Sequence, residues 1–241
     1  MKTKILTSLM ASLLMSAPLA ADLINEFQPN PFGTDPANQM IELIGTPGAA
    51  YSGFLITVDS DGAGGTAFIG TVDRENAIQG NYDANGFAVI TIPDLENPSF
   101  TLVFSTASPG LGTDLDLDGD GLLDAIAGFG TVFDAINIPD SVFDQDAMYG
   151  SQLGGVDMTY SGDEPKLTFR DGVTGDWYSV NDQGNTPENV FDEFGNQVPN
   201  GAFNLDPELP TFGSMNPSIP EPVSSGLLGL ALVGFGFVRR R

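Results

Sequence analysis

Between its two ends, the chain consists of short apolar runs that turn residues interrupt every few positions. Most runs are four to eight residues long, rich in β-branched and aromatic side chains, and bounded by glycine, proline, asparagine or aspartate. No window of twelve or more residues in this middle part keeps the 3.6-residue apolar spacing of a helix. The pattern therefore predicts an all-β domain folded as a β-sandwich. Strands are expected at 23–27, 39–44, 51–58, 66–72, 86–92, 100–105, 125–133, 166–170 and 177–180.

The sequence also predicts one hairpin and the end of the domain. Asn85-Gly86 favours a tight hairpin, because both residues tolerate positive φ. From 181 to 217 the strand pattern gives way to prolines, Asn, Asp and isolated aromatics, which indicates an irregular segment laid against the sandwich. We expect the sandwich to span 22–205 and a linker to follow over 206–219.

The N-terminus has the layout of a secretory signal peptide. Lys2 and Lys4 precede a short apolar stretch that closes with small residues, and cleavage is expected near Ala20 or Ala21. The alternative is a buried hydrophobic helix. Residues 1–21 are therefore predicted to direct export and to be removed.

Charge and composition exclude several classes of function. The chain carries a net charge of −24 and has no cysteine and no histidine. Without the two ends its cations are Arg74, Lys166 and Arg170, so an acidic surface would repel nucleic acid and attract divalent cations, or simply keep a secreted protein soluble. A Ser-His-Asp triad, a thiol nucleophile, a histidine-ligated zinc site and a disulfide framework are all excluded.

The C-terminus joins a Pro-Glu-Pro motif to an apolar run and three arginines. The motif is Pro220, Glu221 and Pro222; the run 223–238 has 16 residues, about 24 Å as a helix, which is slightly short for a bilayer core. Arg239, Arg240 and Arg241 would remain on the cytoplasmic side. The alternative is a plain anchor.

This tail, 220–241, resembles the PEP-CTERM sorting signal of Gram-negative bacteria that make exopolysaccharide. The resemblance implies transient insertion into the inner membrane through the apolar helix and processing by an exosortase-type membrane enzyme. It also implies a mature protein at the envelope surface or in the extracellular matrix, with matrix polysaccharide as a possible partner.

The middle of the chain resembles lamin-tail domains. The motifs are the opening "LINEFQPNPFGTDPANQMIEL" and the stretch Phe169, Arg170, Asp171 and Gly172 with Trp177 after it. The resemblance implies an immunoglobulin-like sandwich that serves as a binding or structural module. An acidic insert at 110–124 departs from the family's pattern.

Alternating aspartates in this insert predict a calcium loop. Hard oxygen ligands at positions 1, 3 and 5 and a glycine at position 6 form the front half of such a loop. One register uses Asp114, Asp116, Asp118 and Gly119; the preferred register uses Asp116, Asp118, Asp120 and Gly121, with Asp124 at position 9. No glutamate falls at position 12, which predicts a dissociation constant of about 10⁻⁴ to 10⁻³ M. The alternative is a solvated acidic loop without metal.

Other polar and aromatic residues have structural explanations. Asp59 and Asp61 fit a hairpin turn better than a second metal loop. Asn25, Glu26 and Glu42 alternate with apolar neighbours and are assigned to the outward face of the sheet.

Trp177 and Tyr178 could stack on sugars but fit core or edge packing better. The sequence thus favours a non-catalytic, calcium-braced surface protein. A glycoside hydrolase with two carboxylates, acting on exopolysaccharide, is the alternative.

Overall fold

The chain folds into two β-sheets. The structure, a computed structural model, describes residues 22–31, 36–61, 69–93, 95, 99–181 and 189–220. Within these ranges the helical segments are four short 3-10 turns, so the all-β prediction is confirmed. The strands are β1 (Leu23–Phe27), β2 (Asn38–Ile44), β3 (Ala50–Asp59), β4 (Val72–Asn81), β5 (Phe87–Pro93), β6 (Phe100–Ser105), β7 (Val132–Ile138), β8 (Val156–Asp157), β9 (Pro165–Arg170), β10 (Trp177–Asn181), β11 (Val190–Asp192) and β12 (Gln197–Val198). The 3-10 turns are Ala127–Phe129, Val142–Asp146, Ser151–Leu153 and Asn200–Ala202.

The two sheets have separate strand orders. The seven-stranded sheet runs β12-β11-β10-β9-β1-β2-β5, and the five-stranded sheet runs β4-β3-β6-β7-β8. Neighbouring strands are antiparallel, except that β7 and β8 are parallel. Strands β5 and β4 are therefore edge strands of the two sheets.

The main hydrophobic core lies between the sheets. It is built from alternate residues of each strand, because successive side chains of a strand point to opposite faces. Phe27 of β1 meets Trp177 of β10 edge-on, with ring centroids 6.2 Å apart, and lies 6.4 Å from Phe100 of β6 in the opposite sheet. All three side chains are fully buried. The fold is therefore a two-sheet sandwich with an aromatic centre.

A buried ion pair connects the two sheets. Arg170 of β9 donates two hydrogen bonds to Asp134 of β7, at 2.8 and 2.7 Å, and Asp134 also accepts from the Ile24 N–H at 2.9 Å. The guanidinium lies 4.3 Å from the centroid of the Trp177 ring. Burial raises the pKa of Asp134, although the Arg170 charge lowers it. Arg170 thus holds a carboxylate that would otherwise be costly to bury.

Each sheet also has its outer face covered. The acidic insert and residues 142–155 cover the five-stranded sheet and form a second core, which includes Leu115, Phe129 and Tyr149. Residues near the C-terminus cover the seven-stranded sheet, where Phe203 packs on Phe169 and Tyr178. Both outer faces of the sandwich are therefore partly covered, while the outward residues of the edge strands β4 and β5 are largely exposed.

Three of the strand-level predictions need correction. The Asn85-Gly86 turn does not close a hairpin: it joins β4 to β5, which lie in different sheets. The expected strand at 125–133 begins only at Val132, after a 3-10 turn at Ala127–Phe129. Positions 66–68 of the expected strand 66–72 lie outside the described residues. The strand that is present runs from Val72 to Asn81 because it pairs along this length with β3.

Within the range 206–219, where a linker was predicted, residues 211–219 are hydrogen-bonded to the seven-stranded sheet and to the turn after β9. The Ile219 N–H donates to Asp171 at 2.8 Å, and the Gly172 N–H donates to the Pro217 carbonyl at 3.3 Å. The folded part of the chain therefore continues to the residue before Pro220. Of the predicted terminal signals, Ala20, Ala21, Glu221, Pro222, Arg239, Arg240 and Arg241 lie outside the described residues.

Candidate metal centre

The acidic insert is anchored to the five-stranded sheet at several points. The Val72 N–H of β4 donates to the Thr113 carbonyl at 2.9 Å, and the Leu115 N–H donates to the Gly70 carbonyl, just before β4, at 3.0 Å. The Leu115 side chain is buried in the second core. Gln152 spans the loop, accepting from the Leu123 N–H at 2.8 Å and donating to the Gly121 carbonyl at 2.8 Å. The insert is therefore a fixed part of the fold.

Asp116 is the buried centre of this loop, with 3% of its surface exposed. One oxygen accepts from the Asp120 N–H at 3.1 Å, and the other accepts from the Gly121 N–H at 2.9 Å and from the Tyr149 hydroxyl at 2.9 Å. Burial raises the pKa of Tyr149, and the Asp116 charge raises it further, so the hydroxyl remains a donor. Asp116 thus shapes the turn that carries the next two aspartates.

Three carboxylates of the loop come together. One oxygen from each of Asp116, Asp118 and Asp120 lies within 4.8 Å of the other two, and the last two side chains are exposed. These residues are positions 1, 3 and 5 of the preferred register. Gly121, at position 6, has φ of 83°, in the region that glycine adopts at low cost.

The other two predicted ligands lie outside this group. Asp114 accepts from the Asp116 N–H at 3.2 Å, and Asp124 accepts from the Leu117 N–H at 2.8 Å, so each carboxylate caps a turn of the loop. Their charges still add to the negative potential around the three grouped carboxylates. The Asp59 carboxylate likewise accepts from the Asp61 N–H at 2.8 Å, next to the paired strands β3 and β4, as the hairpin interpretation expects.

A second carboxylate site lies on the outer face of the seven-stranded sheet, at residues that the sequence assigned to structural positions. Glu26 of β1 and Glu42 of β2 are cross-strand partners, and both are fully buried. They occupy the predicted outward positions, but residues 211–219, which we call the C-terminal strap, cover them. Burial raises the pKa of Glu26 to about 7 and also raises the pKa of Glu42.

The strap binds these two carboxyl groups through its backbone. The Thr211 N–H donates to Glu26 at 2.7 Å, and the Gly213 N–H donates to Glu42. Glu42 also accepts from the Asn25 side chain at 2.6 Å. No local signal reveals this site, because the strap lies about 170 to 185 residues away in sequence.

The remaining candidates have structural positions. Trp177 is fully buried and Tyr178 is 8% exposed, so both pack in the fold as expected. Arg170 and Asp171 of the lamin-tail-like motif hold Asp134 and the strap, respectively. A shallow groove of about 430 Å³ lies between edge strands β4 and β5, and its lining contains one carboxylate, Glu75.

Comparisons with known proteins give no relative. No family model matches the chain, and neither does any curated protein or solved structure. Across the described residues, no helix has the length and apolar character needed to span a bilayer.

Proposed function

We propose that this is an exported, non-catalytic protein of the cell surface or extracellular matrix, sorted through its C-terminal tail and braced by calcium. In this proposal an exosortase-type membrane enzyme of a Gram-negative bacterium reads Pro220, Glu221 and Pro222. The two sheets support the finer proposal that the domain is an immunoglobulin-like, lamin-tail-like sandwich.

The group formed by Asp116, Asp118 and Asp120 carries the calcium part of the proposal. Carboxylate oxygens are the ligands that calcium prefers, and 4.8 Å is about twice a calcium–oxygen distance, so one ion can reach all three. Without an ion the three charges repel one another. Because Leu115 and Asp116 are buried, a bound ion would tie the exposed half of the insert to the second core.

Calcium is therefore expected to stabilise the native state at high-micromolar to millimolar concentrations. At about ten times the dissociation constant the gain is RT ln(1 + [L]/Kd), about 1.4 kcal/mol. For a domain of this size that corresponds to a rise in Tm of about 3–6 °C. Differential scanning fluorimetry with a calcium titration measures it.

The variant Asp118→Asn/Asp120→Asn should lose this response. Both side chains are exposed, so the fold should persist. The control, Glu75→Gln/Glu193→Gln, removes two charges outside the loop and should keep the full shift. An equal calcium response in the loop variant would show that the ion binds elsewhere.

Intact-mass analysis of the exported protein tests the sorting part of the proposal. We expect a mass lacking both 1–21 and the apolar tail, in protein recovered from the envelope surface or the medium. Surface protein that still carries Arg241 would contradict cleavage and would favour a plain anchor.

The alternative function, a glycoside hydrolase, needs two opposed carboxylates in an open groove. Glu26 and Glu42 are neighbours but are buried beneath the strap, and the groove between β4 and β5 contributes one carboxylate. Neither feature favours the hydrolase over a structural role.

A further inference from the structure

The contacts of the strap with Glu26 favour a proton on that residue. Asn216 of the strap donates through its amide nitrogen to two backbone carbonyls, those of Asn25 at 3.0 Å and of Arg170 at 2.8 Å. These two bonds establish which end of the amide is the nitrogen and which is the oxygen. Because Asn216 is buried, the oxygen needs a donor within the fold. That oxygen lies 2.9 Å from the Thr211 hydroxyl.

The Thr211 hydroxyl has one proton but two acceptors beside it. Besides the Asn216 oxygen, the Glu26 Oε2 atom lies 3.0 Å from the same hydroxyl. If the hydroxyl donates to Asn216, its own oxygen can only accept, and Glu26 must then be the donor. An ionised Glu26 would leave either itself or the Asn216 oxygen short of a hydrogen bond in a buried site, which is costly.

We propose that Glu26 holds a proton in the docked state, that this proton locks the C-terminal strap onto the sheet, and that its loss favours release of the strap. The lock is a property of the folded domain. A second part rests on the proposed function: release would free residues 211–219 directly before Pro220, giving a processing enzyme extended chain ahead of the motif.

The charges around Glu26 favour this proton. The strap from Thr211 to Ile219 has no titratable side chain, and β5 has none. The neighbouring strand β2 contributes Glu42, with Asp83 beyond it, and both are acidic. Three further charged groups come from β9 and the turn after it. Lys166 and Arg170 of β9 lie on the face of the sheet opposite to Glu26. Asp171, in the turn, accepts a hydrogen bond from the Ile219 N–H of the strap.

The strap should therefore dock most firmly in acid. The pKa of Glu26 lies at about 7 in the folded chain, against 4.5 for a free glutamate, because burial disfavours its charge. The stabilisation that this proton gives the docked strap is fully present below pH 4.5. It is lost as pH rises towards 7 and changes little above pH 7. Between pH 5 and pH 8 the opening constant should rise by about 70-fold.

Hydrogen exchange of the full chain tests the lock. The amides of Thr211 and Gly213, which bond to the carboxyl groups, report strap opening after correction for intrinsic exchange rates. Wild type should show the rise between pH 5 and pH 8. Glu26→Gln keeps a donor towards the Thr211 hydroxyl, so it should remain docked and show a smaller rise than wild type, because only Glu42, whose pKa burial also raises, still titrates beneath the strap.

One control variant and one spectroscopic measurement test whether Glu26 is the group responsible. Glu75→Gln, in the exposed part of β4, should retain the wild-type slope. Infrared difference spectra at pH 6 should contain the carbonyl band of a protonated carboxylic acid that disappears in Glu26→Gln. A flat wild-type profile, or an unchanged slope in Glu26→Gln, would overturn the lock. An observed lock together with an uncleaved tail would instead refute only the sorting proposal.

Discussion

Replacing Arg170 by alanine should destabilise the domain more than any surface charge substitution. The change removes both hydrogen bonds to Asp134, the bond from Nε to the Ile24 carbonyl at 2.8 Å, the bond to the Gly175 carbonyl at 3.1 Å and the contact with the Trp177 ring. It leaves Asp134 between the sheets, with a side chain that is 5% exposed.

The size of the effect follows from this burial. Breaking a buried ion pair by removing one partner costs about 3–5 kcal/mol, because an uncompensated charge stays in the interior. At about 2–4 °C per kcal/mol, the expected fall in Tm is about 6–20 °C. The matched control is Arg74→Ala: Arg74 pairs with Asp73 at 2.9 Å, but the two side chains are 39% and 32% exposed, and such pairs contribute less than about 1 kcal/mol.

Urea unfolding followed by circular dichroism measures both variants without relying on the Trp177 signal, which the substitution itself alters. Acid should reduce the Arg170→Ala penalty. Burial already raises the pKa of Asp134, and removing the Arg170 charge raises it further, so the carboxyl group becomes neutral at a higher pH. The penalty should therefore be larger at pH 8 than at pH 5. If Arg170→Ala costs no more than Arg74→Ala, the ion pair does not carry the connection between the sheets.

Two further predictions use pairs of residues that differ in one respect. Gly119→Ala and Gly121→Ala both place alanine at positive φ, but only at 121 would the new Cβ meet a backbone atom, the Asp146 carbonyl oxygen at 2.1 Å. Thermal melts should therefore show the larger fall in Tm for Gly121→Ala, and equal falls would refute the contact. Phe203→Ala should cost about 3–5 kcal/mol by urea unfolding, whereas Phe194→Ala, at a side chain 71% exposed, should cost little; similar losses would place Phe203 outside the fold.

Strands bounded by turn residues could be predicted from the sequence, and polar edge strands could not. The bounds 23–27 and 100–105 agree with β1 and β6, whose residues are mostly buried. Strand β4 has the sequence VDRENAIQGN, which lacks a run of apolar residues. An edge strand needs few of them, because one side of its backbone ladder is unpaired and much of its surface faces water. Tertiary pairing with β3, not local preference, determines this strand.

The two carboxylate sites differ in the same way. Asp116, Asp118 and Asp120 are close in sequence, so their grouping could be predicted from spacing alone. For Glu26 and Glu42 the alternation gave the correct face of the sheet, but their burial depends on a segment at the other end of the chain. The Asn and Thr residues between prolines in the strap have the composition of a linker, and only their hydrogen bonds to the sheet show that they are part of the fold.

The ion pair between the sheets has a consequence for when the domain can fold. In many sandwiches of secreted proteins a buried tryptophan packs against a disulfide that joins the two sheets. Here Trp177 packs against a guanidinium that reaches Asp134 of the other sheet. A disulfide forms over seconds to hours and needs an oxidant, whereas this contact forms as soon as the two strands meet. The connection between the two sheets therefore depends on neither the redox state of the compartment nor a disulfide isomerase.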